Sequence, residues 1–198
     1  LVLGPLVVAC VSQANRSLLA RLAHQATIDH LTGVLTRSAF TRRANALLDS
    51  RQQHGQALPL TLMMLDIDHF KAINDVHGHA VGDKVLRQFA RTLQDQLHEG
   101  QLFARMGGEE FVVVLPGLAP ERAKFTAERL RRAVQDLHVV QADHRLQITV
   151  SIGLDGCAAD TPAPSLDELL ARADQALYRA KAHGRNRVEQ AEAQRQVV

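Results

Sequence analysis

Residues 60–66 place the strongest constraint on how this chain can fold. The segment reads LTLMMLD and is apolar at almost every position, with no alternation between apolar and polar side chains. A strand that is covered on one face alternates, whereas a strand that is covered on both faces is almost uniformly apolar. Asp66 closes the run, and Asp68 follows two residues later. The pattern predicts a central, buried strand that ends in carboxylates.

A glycine pair indicates a hairpin in the second half of the chain. Gly107 and Gly108 separate two apolar segments, residues 102–106 and 111–115. Glycines between two apolar segments are typical of a tight turn between antiparallel strands. Residues 146–154 alternate between apolar and polar side chains, and this predicts a further strand.

Helical periodicity accounts for most of the remaining sequence. The predicted helices cover residues 36–54, 69–76, a segment from 81 onward, 119–137, and 165–184, where Ser165 and Glu168 have the spacing of a capping box. This order of elements predicts an α+β fold of the ferredoxin-like or palm type, with a central antiparallel-rich sheet and surrounding helices. In the ferredoxin-like plan, the helices lie on one face of the sheet.

Length and charge limit the classes of protein that remain. A chain of 198 residues suits one domain with flanking segments. The formal net charge of +2 is too small to indicate a nucleic-acid partner. We expect an apolar segment and linker helix over residues 1–28, the main domain over 29–190, and a tail over 191–198.

The N-terminal segment leaves two interpretations open. Residues 1–11 are apolar throughout, but a helix that spans a bilayer needs about 20 such residues. The segment is either the end of a membrane or sensory region or a flap that packs on the domain. Residues 12–30 predict a helix with a partial apolar stripe, which suits either a dimerising signalling helix or a helix that lies on its own domain.

The acidic side chains near the hairpin predict a site for a hard cation. The proposed sheet brings the end of the first strand, with Asp66, beside Glu109 and Glu110 of the hairpin. Carboxylate oxygens are the ligands that Mg²⁺ prefers, and two-metal phosphoryl chemistry needs such a cluster. Acids at a sheet edge also keep sheets soluble. The spacing alone therefore leaves both interpretations open.

Further polar residues suit nucleotide recognition. Asn74 and Asp83 could hydrogen-bond the edge of a guanine, since Asp accepts from its ring and exocyclic N–H groups. Lys181 and Arg185 lie four residues apart at a helix end and could hold phosphates. Each residue also has a local explanation, because acids favour the first turn of a helix and cations its last turn.

These segments together resemble the GGDEF family of bacterial diguanylate cyclases. The resemblance covers residues 29–188, and several motifs occur in order with matching gaps. The matching segments are residues 29–37 (DHLTGVLTR), 65–75 (LDIDHFKAIND), 78–83 (GHAVGD), 105–111 (RMGGEEF), 149–153 (TVSIG) and 173–187 (ADQALYRAKAHGRNR).

The resemblance implies a reaction and a role for each matching residue. Two GTP molecules would condense to cyclic di-GMP across a two-fold homodimer, with two Mg²⁺ ions, or Mn²⁺, in each half-site. The metal ligands would be Asp66, the Ile67 carbonyl, Glu109 and Glu110, with Glu109 also acting on the ribose 3′-hydroxyl. Lys71 would stabilise charge on the transferring phosphate. The remaining substrate contacts would come from Asn74, His79, Asp83, Gly107, Gly108, Lys181 and Arg185.

The sequence departs from the family pattern at two places. The family often carries an Arg-x-x-Asp product-inhibition site, but His98 and Gln101 stand at those two positions. We therefore expect no strong product inhibition through that site. Thr36 stands where the family often has Asn.

Other functional classes remain as alternatives. One is a degenerate module that only binds GTP or cyclic di-GMP, although such modules usually lose the acids kept here as Asp66, Glu109 and Glu110. Another is a different nucleotidyl cyclase or polymerase palm, and a third is a structural dimerisation domain. The resemblance also implies a cytoplasmic domain of a receptor anchored in the inner membrane, with an upstream sensory segment.

Overall fold

The computed structural model describes residues 27–53, 58–141, 144–159, 161 and 164–192. Most of the helix predicted over residues 12–30 lies outside these ranges, as does the apolar segment 1–11. The described residues 27–30 are not helical; instead Ile28 forms an isolated antiparallel bridge with Leu35. In the described ranges, no helix is long and apolar enough to cross a membrane.

A six-stranded mixed sheet forms the centre of the fold. Its strand order is β1-β3-β4-β2-β7-β8, and a separate two-stranded sheet pairs β5 with β6. The four central strands pair antiparallel, while β1 and β8 join the two edges in parallel. The strands are β1 (Leu35–Thr36), β2 (Leu60–Ile67), β3 (Leu102–Gly107), β4 (Glu110–Pro116), β5 (His138–Gln141), β6 (His144–Gln147), β7 (Val150–Cys157) and β8 (Val188–Gln190).

Helices cover both faces of this sheet. They are α1 (Arg37–Gln53), α2 (Phe70–His77), α3 (His79–Gln94), α4 (Pro120–Gln135) and α5 (Leu166–Ala182). One face packs against α3 and α4 through Met63 and Leu65, and the other packs against α1 and α5 through Leu62 and Met64. The α+β prediction is confirmed, but the expectation that helices lie on one face is wrong, since the central strands are apolar on both sides.

Strand β2 occupies the position that its sequence predicts. All eight of its residues are buried, and it lies between β4 and β7. On β7, Gly153 lets α5 approach closely, because a Cβ there would lie 2.1 Å from the backbone nitrogen of Leu177. The buried centre of the sheet therefore holds β2 rigidly and presents its last residues at one edge of the molecule.

The single strand predicted over residues 146–154 is two strands in the structure. Residues 144–147 form β6 and pair with β5, whereas β7 begins at Val150 and pairs with β2. Ile148 and Thr149 lie between them and belong to neither strand. The alternation of side chains continues through this break, so the change of partner leaves no trace in the hydrophobic pattern.

Helix ends follow the predicted signals. The Ser165 side chain accepts a hydrogen bond from the Glu168 backbone, and the Glu168 side chain accepts one from the Ser165 backbone, so the predicted capping box is present. Gly78 separates α2 from α3 with a φ of 80°. The two helices are thus separated by this single glycine.

Candidate active site

The signature hairpin is a tight turn that Arg105 braces. Gly107 and Gly108 have φ values of 153° and 50°, which favour glycine. The guanidinium of Arg105 donates to the Gly108 carbonyl oxygen from Nε at 2.9 Å and from Nη2 at 2.8 Å. Its Nη1 lies 3.3 Å from Oδ1 of Asp29. The turn is therefore held by a side chain of the hairpin's own first strand, and Asp29 contacts that side chain from outside the hairpin.

Asp29 connects this brace to the turn at the start of the domain. Its Oδ1 accepts hydrogen bonds from the Thr32 backbone at 2.9 Å and from the Thr32 hydroxyl at 2.6 Å. Partial burial would raise the pKa of Asp29, but the bonds from Thr32 and the charge of Arg105 outweigh it and lower the pKa. Because the carboxylate stays ionised, residues 29–33 remain attached to the hairpin.

The acids predicted from the sequence lie together at the edge of the sheet. Asp66 is directly opposite Glu110 in the β2–β4 register, and the Ile67 backbone N–H donates to the Glu109 carbonyl oxygen at 3.4 Å. Asp66 is buried, Glu109 is half-buried and Glu110 is exposed. The end of the central strand and the hairpin thus form one acidic edge.

A lysine side chain forms an ion pair with the buried carboxylate of this acidic edge. Nζ of Lys181, near the end of α5, lies 2.8 Å from Oδ2 of Asp66. Burial raises the pKa of Asp66; the Lys181 ammonium acts in the opposite direction, and the charges of Glu109 and Glu110 raise the pKa further. In the described ranges, no three His, Cys, Asp or Glu side chains form a ready-made metal cluster. The donor set nevertheless fits a hard cation, since its ligands are carboxylates and the buried one already attracts a positive charge.

The Asn74 side chain fills a small recess that Gly82 leaves between α2 and α3. The Oδ1 atom of Asn74 is buried and has no hydrogen-bond partner in the described part of the chain. A Cβ at position 82 would lie 1.9 Å from this oxygen. Gly82 therefore makes room for the Asn74 side chain, and a buried carbonyl oxygen without a donor is a site where a ligand N–H gains a hydrogen bond.

The other predicted substrate residues are at least partly exposed and lie on α2, on α3 and in the loop after α5. Asp83 follows Gly82, and in the described part of the chain its side chain makes only a long contact of 4.0 Å with Arg87. His79 begins α3 and Lys71 lies in the first turn of α2; both are exposed. Arg185 is also exposed, and its side chain makes no hydrogen bond or ion pair with the rest of residues 27–53, 58–141, 144–159, 161 and 164–192. Within the described residues, none of these four side chains forms a hydrogen bond or ion pair with Asp66.

Two residues that organise the site have roles that the sequence does not predict. Arg105 belongs to the matching segments, but nothing in the pattern shows that it braces the hairpin. Asp68 is buried and accepts hydrogen bonds from the hydroxyls of Thr149 and Ser151. The sequence signal for the role of Asp68 is the pair of hydroxyl residues, Thr149 and Ser151, around the start of β7.

Comparison with known proteins identifies the family. The family model "Diguanylate cyclase, GGDEF domain" matches residues 26–187. The probable diguanylate cyclase DgcF of Escherichia coli K12 is 40% identical over 185 residues, which cover 92% of this chain and 57% of that protein. The chain thus spans little more than half the length of this relative.

Two solved structures share the fold. The GGDEF domain of DgcB from Caulobacter crescentus, in complex with c-di-GMP, has a TM-score of 0.78 and 35% identity, and the match covers 85% of this chain and 98% of that one. The diguanylate cyclase SiaD of Pseudomonas aeruginosa, in complex with its activator SiaC, has a TM-score of 0.78 and 34% identity over 93% of this chain and 69% of that one. The match spans almost all of this chain, and the chain belongs to the GGDEF domain family of diguanylate cyclases.

Proposed function

We propose that this domain is a diguanylate cyclase that condenses two GTP molecules into cyclic di-GMP and releases two pyrophosphates. One observation carries the proposal: the buried Asp66 carboxylate lies beside the Glu109–Glu110 hairpin and already holds a cationic group. An acidic edge of this kind suits phosphoryl transfer, where positive charge must neutralise the reacting phosphate.

The recess at Asn74 supports a preference for guanine. The buried, unpartnered Oδ1 of Asn74 can accept a hydrogen bond from a purine N–H, and Asp83 on the neighbouring helix can accept another. Guanine offers an N–H on the ring and an amino group side by side, whereas adenine does not. His79, exposed at the start of α3, would lie beside the bound nucleotide.

The acidic edge would hold Mg²⁺, or Mn²⁺, through Asp66, Glu109, Glu110 and the carbonyl of Ile67. The ions would neutralise the phosphate oxygens and lower the pKa of the ribose 3′-hydroxyl. Glu109 is only half-buried, so its carboxylate can also accept the proton of that hydroxyl.

Cationic side chains around the edge would hold the phosphates. Lys181 would leave Asp66 and contact the triphosphate, and Arg185 would bind it with its forked guanidinium. The exposed Lys71 would approach the phosphate from α2, and Gly107 and Gly108 leave space for it because they lack side chains.

One copy of this domain would supply half of the catalytic assembly. Each 3′-oxygen attacks the α-phosphate of the other nucleotide, so two subunits must face each other about a two-fold axis. Because the substrate is GTP, we place the domain in the cytoplasm. An upstream sensory or membrane segment would control the pairing of subunits.

Product feedback through the position of the family's Arg-x-x-Asp site is absent from this proposal. The backbone N–H of His98 donates to Oε1 of Gln101 at 3.0 Å, so these residues form a local turn without an arginine or a carboxylate. Added cyclic di-GMP should leave the initial rate unchanged at concentrations that inhibit enzymes with that site. Inhibition that a His98→Ala variant abolishes would contradict this expectation.

The test compares the wild type with a Glu109→Gln variant. Both are incubated with GTP and Mg²⁺, the nucleotides are separated by chromatography, and folding is checked by thermal unfolding. Wild type should form cyclic di-GMP, and Glu109→Gln should form none while it unfolds at the same temperature. The matched control is Glu121→Gln, an exposed acid on α4, which should keep full activity. Binding of GTP without product in the wild type would favour a binding module instead.

A further inference from the structure

The Asp68 carboxylate joins three parts of the fold at the edge of the active site. It lies two residues after Asp66 and is only 4% exposed. Oδ1 accepts a hydrogen bond from the Ser151 hydroxyl at 2.7 Å. Oδ2 accepts from the Thr149 hydroxyl at 2.7 Å and from the Asn186 backbone N–H at 3.0 Å. Both oxygens are therefore engaged by donors from β7, from the residue before it and from the loop after α5.

That loop has a conformation that needs support. Arg185 and Asn186 have φ values of 62° and 45°, so two successive residues with side chains lie in the left-handed region. An arginine there is disfavoured, and such a conformation persists only where surrounding contacts impose it. The backbone N–H of Asn186, which Asp68 holds, is one of those contacts.

The backbone N–H of Arg185 donates to the Ala180 carbonyl oxygen at 3.0 Å, and the Asn186 side chain supplies further contacts. Its Oδ1 accepts a hydrogen bond from Arg131 at 2.8 Å, and its Nδ2 donates to Oε1 of Gln135 at 3.1 Å. Asn186 is thus held by α4 on one side and by Asp68 on the other. Arg185, the residue before it, has an exposed side chain that makes no contact of this kind in the described ranges.

We propose that Asp68 is a positioning residue for Arg185, and that it acts by fixing the backbone of the loop after α5. Asp68 is not a metal ligand in this account, because three donors already occupy its oxygens. The inference rests on the proposed function, in which Arg185 binds the triphosphate.

Two substitutions separate positioning from metal binding. Asp68→Ala removes the acceptor of the Asn186 N–H. Asp68→Asn keeps one acceptor oxygen for that N–H, and its amide can donate to the Ser151 hydroxyl, since a hydroxyl accepts as well as donates. If Asp68 positions Arg185, triphosphate binding should weaken in Asp68→Ala and be retained in Asp68→Asn. If Asp68 were a metal ligand, both substitutions would impair metal binding.

The experiment measures binding of a non-hydrolysable GTP analogue and of guanosine by calorimetry. Asp68→Ala should weaken binding of the triphosphate analogue about tenfold, as expected for the loss of a charged hydrogen bond. It should change the affinity for guanosine by no more than about twofold. Asp68→Asn should bind both ligands, and Mn²⁺ alone, as the wild type does. The matched control is Asp155→Ala, which removes the 2.7 Å contact of Arg172 between α5 and β7. It should leave the ratio of the two affinities unchanged.

A double mutant gives the decisive comparison. In an Arg185→Ala background, Asp68→Ala should have no further effect on the triphosphate analogue, because the group that it positions is gone. Additive effects, or equal losses for guanosine and the analogue, would overturn the proposal. If Asp68→Ala does not fold, Asp68→Ser replaces it, because its shorter side chain does not reach the Asn186 N–H.

The phosphate-binding role of Arg185 and the positioning role of Asp68 can be refuted separately. If Arg185→Ala leaves the affinity for the analogue unchanged, the assigned role of Arg185 is wrong and the positioning role falls with it. If Arg185→Ala weakens binding but Asp68→Ala does not, only the positioning role is refuted.

Discussion

The contact between Lys181 and Asp66 predicts that one substitution has opposite effects on metal and nucleotide. In the free domain the ammonium lies 2.8 Å from the carboxylate that would bind the metal. A metal ion at Asp66 would therefore compete with the Lys181 ammonium for this carboxylate. Lys181→Gln removes this competitor, so it should tighten the binding of metal alone. The same substitution removes the side chain that we propose contacts the triphosphate, so it should weaken the binding of a GTP analogue.

The geometry of the pair sets the size of the effect. Two unit charges 2.8 Å apart interact by about 6 kcal/mol at an effective dielectric constant of about 20. The Lys181 side chain is 35% exposed, so solvent screens much of this attraction. The displacement of Lys181 from a mostly buried partner then costs about 1–2 kcal/mol. We expect metal affinity to rise by about 5- to 30-fold in Lys181→Gln.

Titration with Mn²⁺, followed by the electron paramagnetic resonance signal of the free ion, measures this affinity directly. The titration is done at pH 8, because burial raises the pKa of Asp66 and protons compete with the metal in acid. Arg179→Gln is the matched control, since it removes one positive charge two residues away on the same helix. Unchanged or weaker Mn²⁺ binding in Lys181→Gln would refute the competition between Lys181 and the metal.

Two further substitutions test the recess and the brace. In Gly82→Ala the new Cβ would lie 1.9 Å from the present position of Asn74 Oδ1, so the Asn74 side chain must move. The substitution should weaken the binding of guanine nucleotides at least about tenfold. Because alanine favours helices, the unfolding temperature of this variant should not fall much. Calorimetry with GTP and guanosine measures the loss of binding, and an unchanged affinity would contradict the prediction. Asp29→Asn should lower the free energy of unfolding by about 1–2 kcal/mol at pH 7, since it loses charged hydrogen bonds. The pKa of Asp29 is lowered from 3.8, so this stabilisation is present above pH 3.8 and is lost as the pH falls through the folded-state pKa. Denaturant unfolding at pH 7 and at about pH 3 should show the difference closing; a difference that is the same at both pH values would contradict the account.

Much of the fold could be predicted because its strongest signals are local or periodic. A strand that is apolar at almost every position is expected at the centre of a sheet, and β2 lies there. The capping box at Ser165 and the break at Gly78 also act within a few residues. The short edge strands β1 and β8 have too few residues to show a period, and they form only because longer strands offer them a free edge.

The candidate site likewise has a part that the sequence predicts and a part that depends on tertiary packing. The positions of Asp66, Glu109 and Glu110 follow from the strand order, which joins the end of β2 to the hairpin. The pair between Lys181 and Asp66 joins residues that lie far apart in the chain, and no local pattern predicts it. The orphaned oxygen of Asn74 likewise depends on the packing of α2 against α3.

The most direct test of the account measures the product of GTP turnover as a function of protein concentration. The wild type is incubated with GTP and Mg²⁺ across the range in which sedimentation shows the change from monomer to dimer. We predict one cyclic di-GMP and two pyrophosphates for every two GTP consumed, at a rate per protomer that rises with concentration and then levels off. A rate per protomer that is the same for monomer and dimer, or turnover that yields only GDP, would contradict the central claim that one copy of this domain holds half of the catalytic assembly.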